Sequence, residues 1–154
     1  MRVRVQVTAS QPLDLFVVHL KSRFNSHEDP NSSTWRLAEA TAVRHLVDQV
    51  LRDDPEAWVA VLGDMNDAPD SATLSALRLE GADDALPLAD LHADLEPSER
   101  ITYLRAPYQS TIDYILASPA LAARLVPGSA RVLSDPALVD GSDHAPVYAT
   151  FSLE

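Results

Sequence analysis

Six side chains with acid, base or metal-binding chemistry lie in short polar motifs that border apolar segments of the chain. They are His19, Asp64, Asn66, Asp113, Asp143 and His144. Carboxylates bind hard cations or act as general bases, imidazoles transfer protons near neutral pH, and an amide can donate to an oxyanion. Because sites in layered α/β folds gather where strands end and loops begin, these motifs are candidates for one common site.

The motif Gly63-Asp64-Met65-Asn66 can be interpreted in two ways. In extended chain, residues two apart point the same way, so Asp64 could act as a general base or metal ligand while Asn66 donates to an oxyanion. The alternative is a local Asx turn, with Asp70 capping the next helix.

The motif Ser142-Asp143-His144-Ala145-Pro146 also leaves two interpretations open. Because adjacent side chains point in different directions, Asp143 could bind a hard cation through oxygen while His144 faces a phosphate. The alternative is a solvated turn that Pro146 fixes.

Asp113 lies within an apolar segment, residues 112–116, where an unpaired charge is costly. A histidine partner would satisfy the carboxylate, and the hydrogen bond would fix the imidazole tautomer and raise its basicity. The alternatives are an edge-strand aspartate facing solvent for Asp113 and a hydrogen-bonded core histidine for His19. We expect the remaining histidines to be surface or packing residues; these are His27, His45 and His92.

Composition excludes several classes of protein. The chain has 154 residues, no cysteine, and 12 Lys plus Arg against 23 Asp plus Glu, which gives a net charge of −11. A disulfide scaffold, thiol catalysis and Cys-type zinc sites are therefore excluded, and non-specific attraction to polyphosphates is not expected. With 6% aromatic residues, no stacking platform for single strands is evident. A local basic groove could be lined by Lys21, Arg23, Arg36, Arg100 and Arg105.

Hydrophobic periodicity predicts interleaved strands and helices. The predicted strands are 3–7, 13–20, 57–62, 111–117, 131–134 and 147–153, the first two antiparallel to each other. The predicted helices are 34–52 with Thr34 as N-cap, 70–79, a short one near 86–91, and 118–124. This order favours an α/β (α+β) fold with a mixed, mainly antiparallel β-sheet covered by helices on one face.

No apolar stretch approaches the roughly 18 residues of a membrane span, and residues 1–7 alternate in polarity rather than form the apolar core of a signal peptide. We therefore expect a soluble protein forming one domain over residues 1–154, with the cytoplasm as the default compartment.

Four motifs, taken in chain order, resemble those of the endonuclease/exonuclease/phosphatase superfamily, whose members look like deoxyribonuclease I. The motifs are Val18-His19-Leu20-Lys21-Ser22, Gly63-Asp64-Met65-Asn66, Thr111-Ile112-Asp113-Tyr114-Ile115-Leu116 and Ser142-Asp143-His144-Ala145-Pro146-Val147. The resemblance implies a four-layered α/β sandwich of two packed mixed sheets. It also implies a nuclease or phosphatase that cleaves phosphoester bonds with Mg²⁺, or with Mn²⁺ or Ca²⁺ instead.

The resemblance also implies a role for each matched residue. Asp64 matches the acid that orients or deprotonates the attacking water and contributes to the metal site, and Asn66 matches the amide that binds the phosphate and stabilises the transition state. Asp143 matches a metal ligand. His144 matches the imidazole that contacts the scissile phosphate, and Asp113 matches the acid that orients it.

At the first motif, His19 matches a second catalytic histidine, a candidate acid for the leaving group, with Lys21 and Arg23 as phosphate contacts. The family's N-terminal strands carry an Asn and a metal-binding Glu that residues 1–18 do not supply. The chain therefore resembles the C-terminal half of the family domain, and we expect weak metal binding. We also expect a homodimer, or association with a separate N-terminal half, that buries an apolar sheet face. The alternative function is a catalytically silent binding or assembly module.

Overall fold

The computed structural model of the protein describes residues 1–23, 27–79, 86–135, 137, 139 and 141–153. The strands are β1 (Arg2–Gln6), β2 (Pro12–His19), β3 (Trp58–Asp64), β4 (Ala89–Asp90), β5 (Asp113–Ala117), β6 (Arg131–Val132) and β7 (Val147–Tyr148). The helices are α1 (Ser33–Asp53), α2 (Ala72–Arg78) and α3 (Pro119–Ala122), with 3-10 turns at Pro30–Ser32 and Pro97–Glu99. No helix within these ranges is long and apolar enough to cross a membrane.

The main sheet has five strands in the order β1-β2-β3-β5-β4, and β6 and β7 form a second, two-stranded sheet. Strands β2 and β3 are parallel, whereas the other neighbouring pairs are antiparallel, including β1 with β2. The mixed, mainly antiparallel sheet inferred from the sequence is therefore confirmed.

One face of the main sheet is closed by α1 and α2. Alternate residues of the central strands, such as Phe16, Val61 and Leu116, point to this face and pack in one core with the apolar positions of both helices. Buried Arg44 fastens the layer, because its guanidinium pairs with Asp48 and donates to backbone carbonyls beyond α1. This face of the sheet therefore packs into a continuous hydrophobic core with α1 and α2.

The opposite face, which we call the open face, carries Leu13, Leu15, Leu62 and Ile115, all of them only partly buried. Helix α3 packs on this side, so the helices do not all cover one face as the sequence suggested. A groove of about 570 Å³ separates the open face from the C-terminal segment around β7. The open face is thus less filled than the face under α1 and α2.

Two helix caps differ from the sequence prediction. Helix α1 begins at Ser33 rather than after Thr34, and the Asp29 carboxylate accepts from the backbone N–H groups of Thr34 and Trp35. The side chain of Ser71, not Asp70, caps α2 by accepting from Leu74. In each case another polar side chain of the preceding loop reaches the unpaired N–H groups of the first turn.

The predicted short helix at 86–91 is wrong, because Ala89–Asp90 form β4, which pairs with β5, and residues 86–88 have no regular secondary structure. Residues 81–85 of the same Asp-rich stretch lie outside the described ranges. Helix α3 ends at Ala122 instead of 124, and β7 ends at Tyr148. Beyond β7, Phe151 makes a single bridge to Leu125. These segments are held by tertiary contacts that local periodicity does not report.

Candidate active site

The strand pairing brings three of the candidate side chains to one edge of the main sheet. In the parallel β2–β3 pair His19 lies opposite Asp64, and in the antiparallel β3–β5 pair Asp64 lies opposite Asp113. The end of β2, the end of β3 and the start of β5 therefore meet at the same place.

Gly63 makes this pairing possible. Its backbone has a φ of +127°, and a Cβ added there would lie 2.1 Å from the carbonyl oxygen of Val18 on the neighbouring strand. A residue with a side chain would both strain the backbone and push β2 away from β3. The glycine is thus a requirement for the spacing between His19 and Asp64.

Asp113 forms a hydrogen-bonded pair with His144. The Nδ1–H of His144 donates to Oδ2 of Asp113 over 2.9 Å, as the burial of a carboxylate in an apolar strand requires. Thr102, which is fully buried, supports Asp113 and the backbone next to His144. Its hydroxyl oxygen accepts from the backbone N–H of Asp113, and its carbonyl accepts from the N–H of Ala145.

The Asp64 carboxylate is held by Asn66. The backbone N–H of Asn66 donates to Oδ1 over 2.7 Å, and its side-chain Nδ2 donates to Oδ2 over 3.1 Å and to the Leu20 carbonyl over 3.0 Å. His19 is on the solvent side, with Nε2 3.5 Å from Oδ2 of Asp64 and a side chain that is 75% exposed. The four-residue motif is therefore an Asx-type turn that also aims a carboxylate at the sheet edge.

The surroundings raise the pKa values of Asp64 and His144. Burial raises the pKa of Asp64, and the charge of Asp113 raises it further against the hydrogen bond from Asn66. Burial also acts to lower the pKa of His144, but the hydrogen bond and charge of Asp113 outweigh it, with help from Asp64 and Asp143, so the pKa is raised. The carboxylate is a stronger base than usual and the imidazole is more readily protonated.

A divalent cation is compatible with part of this cluster. One ligand atom from each of Asp64, Asp113 and His144 lies within 4.8 Å of the others, and carboxylate oxygens are preferred by hard cations. The bond between Asp113 and His144 engages the imidazole Nδ1, which leaves the carboxylate oxygens as the better donors. Asp143 is exposed at the border of the site and lies outside this three-residue cluster.

Beside the site, Asp67 anchors an arginine network that sequence reasoning missed. Its carboxylate accepts from Arg36 over 3.0 Å, from Arg23 over 2.9 Å and from the Thr73 hydroxyl over 2.7 Å. Arg36 is buried, and its Nη1 also donates to the carbonyls of Lys21 and Asn31. Arg36 therefore braces the fold and is not part of an exposed basic groove.

Of the other cations of the predicted groove, some pair with buried carboxylates and others are exposed. Arg100 pairs with the buried carboxylate of Asp90. Arg23, whose Nε also donates to the Asn66 carbonyl, is 48% exposed beside the site. The Lys21 side chain is exposed next to α1, where the backbone N–H of Lys21 donates to Glu39. Arg105 is exposed in the loop of residues 102–110. Of the predicted set, Arg23 is the cation among the described residues that line the cleft described next.

A cleft of about 390 Å³ opens at the site, and two tyrosines absent from the sequence-based candidates line it. Its lining is Arg23, Asn66, Tyr103, Tyr108, Ser110, Ile112 and His144. The Tyr103 ring meets the His144 ring edge-on, with centroids 5.2 Å apart. Tyrosines in a loop carry no periodic signal, so only the return of residues 102–110 to the sheet edge brings them here.

The family model described as Endonuclease/Exonuclease/phosphatase family matches residues 2–138 of the chain. The protein belongs to this family, which confirms the resemblance read from the four motifs. The match contains His19, Asp64, Asn66 and Asp113, whereas Asp143 and His144 follow it. No curated protein gives a significant match to the sequence.

Solved structures share the fold. An AP endonuclease from Archaeoglobus fulgidus superposes with a TM-score of 0.69 at 20% identity, covering 99% of this chain and 65% of that one. The Xenopus laevis APE2 catalytic domain gives 0.67 at 20% identity, with 98% and 54% covered. The Neisseria 3′ phosphatase NExo, bound to a product DNA hairpin, gives 0.66 at 24% identity, with 91% and 61% covered. The chain thus spans about half to two thirds of these relatives.

Proposed function

We propose that the protein is a metal-dependent phosphoesterase in which water attacks phosphorus in line. The observation that carries this proposal is the Asp113–His144 pair, 2.9 Å apart, beside the Asp64 carboxylate at a shared sheet edge. Membership in a family of nucleases and phosphatases supports the same reaction class.

In this proposal Asp64 orients the attacking water and accepts its proton. The raised pKa of Asp64 makes the carboxylate a more effective base near neutral pH. Asn66 holds both carboxylate oxygens, so it positions the base. For Asn66 also to stabilise the transition state, one of its Nδ2 hydrogen bonds must be exchanged for one to a phosphoryl oxygen.

His144 neutralises charge on the phosphoryl group. Asp113 accepts from Nδ1 and so fixes the ring orientation, which leaves Nε2 as the atom that donates to substrate. The raised pKa of His144 favours the imidazolium, whose hydrogen bond to a phosphoryl oxygen is charge-assisted. His19, exposed beside Asp64, is placed in the proposal as the acid that protonates the leaving group. Arg23, with Lys21 farther out, contacts the phosphate.

Asp64 and Asp143 are the proposed ligands of the cation, whether it is Mg²⁺, Mn²⁺ or Ca²⁺. When bound, such an ion supplies neutralisation of phosphoryl charge in a low-dielectric site. Two carboxylates are a small ligand set for these cations, which take six or more oxygen ligands, so weak affinity is part of the proposal.

The test is hydrolysis of a chromogenic phosphodiester with Mg²⁺ or Mn²⁺, compared with the same reaction in EDTA. We expect EDTA and His144→Ala each to reduce the rate by at least a hundredfold. His45→Ala is the matched control, because His45 is exposed on α1, away from the sheet edge. Equal rates in all samples would contradict an enzyme and support the silent binding or assembly module instead.

We also propose that the open face is a contact surface. Its leucines are partly exposed, and Val5 on the neighbouring strand is 42% exposed, so apolar side chains of this face remain in contact with water. A homodimer or a separate N-terminal half of the family domain would cover it. Light scattering tests this: a dimer that Leu62→Lys dissociates would support a homodimer. A monomer that binds no N-terminal half would contradict the proposal.

A further inference from the structure

The cleft beside His144 combines a cation with two aromatic side chains. Tyr108 is 72% exposed, Tyr103 is partly buried, and Arg23, which also pairs with Asp67, lines the same space of about 390 Å³. A tyrosine ring gains free energy when it leaves water, so a ligand that covered the rings of Tyr103 and Tyr108 would be stabilised by their burial.

Backbone hydrogen bonds hold the hairpin that carries Tyr108. Tyr103 and Ser110 exchange two backbone hydrogen bonds, over 2.9 and 3.1 Å. The backbone N–H of Tyr108 closes the turn by donating to the carbonyl of Arg105. The base of the hairpin joins the site itself, because the N–H of Leu104 donates to the Asp143 carbonyl over 2.8 Å. The backbone of the hairpin is therefore fixed relative to His144, and it presents the Tyr108 ring on the side of the site.

The His144 imidazole and the rings of Tyr103 and Tyr108 form an aromatic wall of the cleft, and it begins at the imidazole. The edge-on contact of Tyr103 with His144, at 5.2 Å and an interplanar angle of 64°, continues the ring surface from the proposed phosphate contact outward. A planar group on the substrate that lies next to the scissile phosphate would meet the Tyr108 side of the cleft. Its phosphate would stay within the reach of Arg23 and His144.

We propose that Tyr108 is a specificity-determining residue that stacks on a planar ring adjacent to the scissile phosphate, so that the preferred ligands are nucleotides. This inference rests on the proposed phosphoesterase site. With a net charge of −11, the chain has no long-range attraction for a polyanion, so recognition falls to local contacts. Stacking of one base on an aromatic residue changes affinity by about fivefold to a hundredfold, which is enough to select ligands.

The experiment compares two ligands that differ by one base. Binding of thymidine 5′-monophosphate and of 2-deoxyribose 5-phosphate is measured by calorimetry in EDTA, where turnover is prevented. We expect the nucleotide to bind about tenfold more tightly. Tyr108→Ala should abolish the ratio, and Tyr108→Phe should retain it because the ring remains.

Tyr148→Ala is the matched control. Tyr148 is 36% exposed in β7 and lines the groove under the open face rather than this cleft. This variant should keep the tenfold ratio. A decathymidylate then distinguishes a nucleic-acid strand from a free nucleotide as the ligand. If the decathymidylate binds more tightly per site than the mononucleotide, the ligand is a strand; if the two affinities are equal, the ligand is a free nucleotide.

Equal affinity for the two ligands, no binding of either one, or an equal loss of both in Tyr108→Ala would overturn the inference. Hydrolysis of the chromogenic diester would still stand in that case, so the proposed function survives such a result. Conversely, a base-dependent ratio in a protein that shows no turnover would support the recognition role and refute only the enzyme.

Discussion

Asp64 is the last residue of β3 and Asp67 lies three residues further along the chain, yet their surroundings are opposite. Asp64 faces another carboxylate, Asp113, and burial raises its pKa. Asp67 is also partly buried, which acts to raise its pKa, but hydrogen bonds from Thr73 and Arg36 outweigh burial and lower it. The first carboxylate is kept reactive, while the second is neutralised by its partners.

This difference shows how a short turn can serve chemistry and scaffolding together. A carboxylate with cationic partners stabilises the fold and has little tendency to take up a proton. A carboxylate without such partners is a better base, but its burial lowers the free energy of unfolding. The two roles make separate predictions, because activity should depend on Asp64 and stability on Asp67.

The largest expected effect is on turnover. Asp64→Asn should lower kcat by about a hundredfold to ten-thousandfold, the usual contribution of a positioned general base. The unfolding free energy should stay equal or increase, since a carboxylate with a raised pKa is removed. Steady-state kinetics and urea unfolding measure the two quantities, with exposed Asp94→Asn as control. If Asp64→Asn lowered the unfolding free energy substantially, Asp64 would also be a stabilising residue and the contrast with Asp67 would be wrong.

Asp67→Ala should instead destabilise the protein by about 3 kcal/mol, because it leaves the buried Arg36 guanidinium without its carboxylate. Urea unfolding measures this loss, and Asp94→Ala provides the control for removing an exposed aspartate. At a temperature where the variant remains folded, its kcat should remain within about tenfold of the wild type. If kcat fell as far as in Asp64→Asn with stability intact, the assignment of roles would be reversed.

Thr73→Val should cost about 1.5 kcal/mol of unfolding free energy, since its hydroxyl donates to the charged Asp67 carboxylate over 2.7 Å. Thr41→Val is the control, because Thr41 makes its hydrogen bond to a backbone carbonyl on the exposed side of α1. A loss no larger than that of the control would mean that the arginines alone hold Asp67.

The smallest effect is a pH dependence of opposite sign at the two positions. The lowered folded pKa of Asp67 gives stability that is complete above the unfolded value near 3.8 and is lost as the pH falls through the folded value. The raised pKa of Asp64 gives a contribution that is complete below 3.8 and is lost as the pH rises. Unfolding curves of Asp64→Asn and Asp67→Asn between about pH 2 and pH 7 should therefore diverge from wild type in opposite directions.

The sequence predicted the strands that position the site because their side chains alternate or form continuous apolar runs. Polar residues at the ends of such runs, as in His19, Asp64 and Asp113, stand out for the same reason. The expectation that Asp113 pairs with a histidine followed from the cost of burying an unpaired charge. That argument did not say which histidine; the family resemblance implied His144, which is the partner in the structure.

The remaining features depend on contacts between distant residues. Arg36 is 31 positions from Asp67 and resembles any other polar residue of a helix in the sequence. Tyr108 lies in a loop, and β4 is a two-residue strand that exists only because β5 offers it an edge. The caps failed because several polar residues precede each helix and tertiary geometry selects among them.

Strand β3 lies at the centre of the main sheet, between β2 and β5. Its amide protons should exchange with solvent only when the whole domain opens, while loop amides exchange through local fluctuations. Asp64 is the last residue of that strand, so the proposed base sits on the most persistent part of the fold. We therefore expect that, during partial opening, the hairpin carrying Tyr108 separates first and the pairing of His19, Asp64 and Asp113 outlasts it.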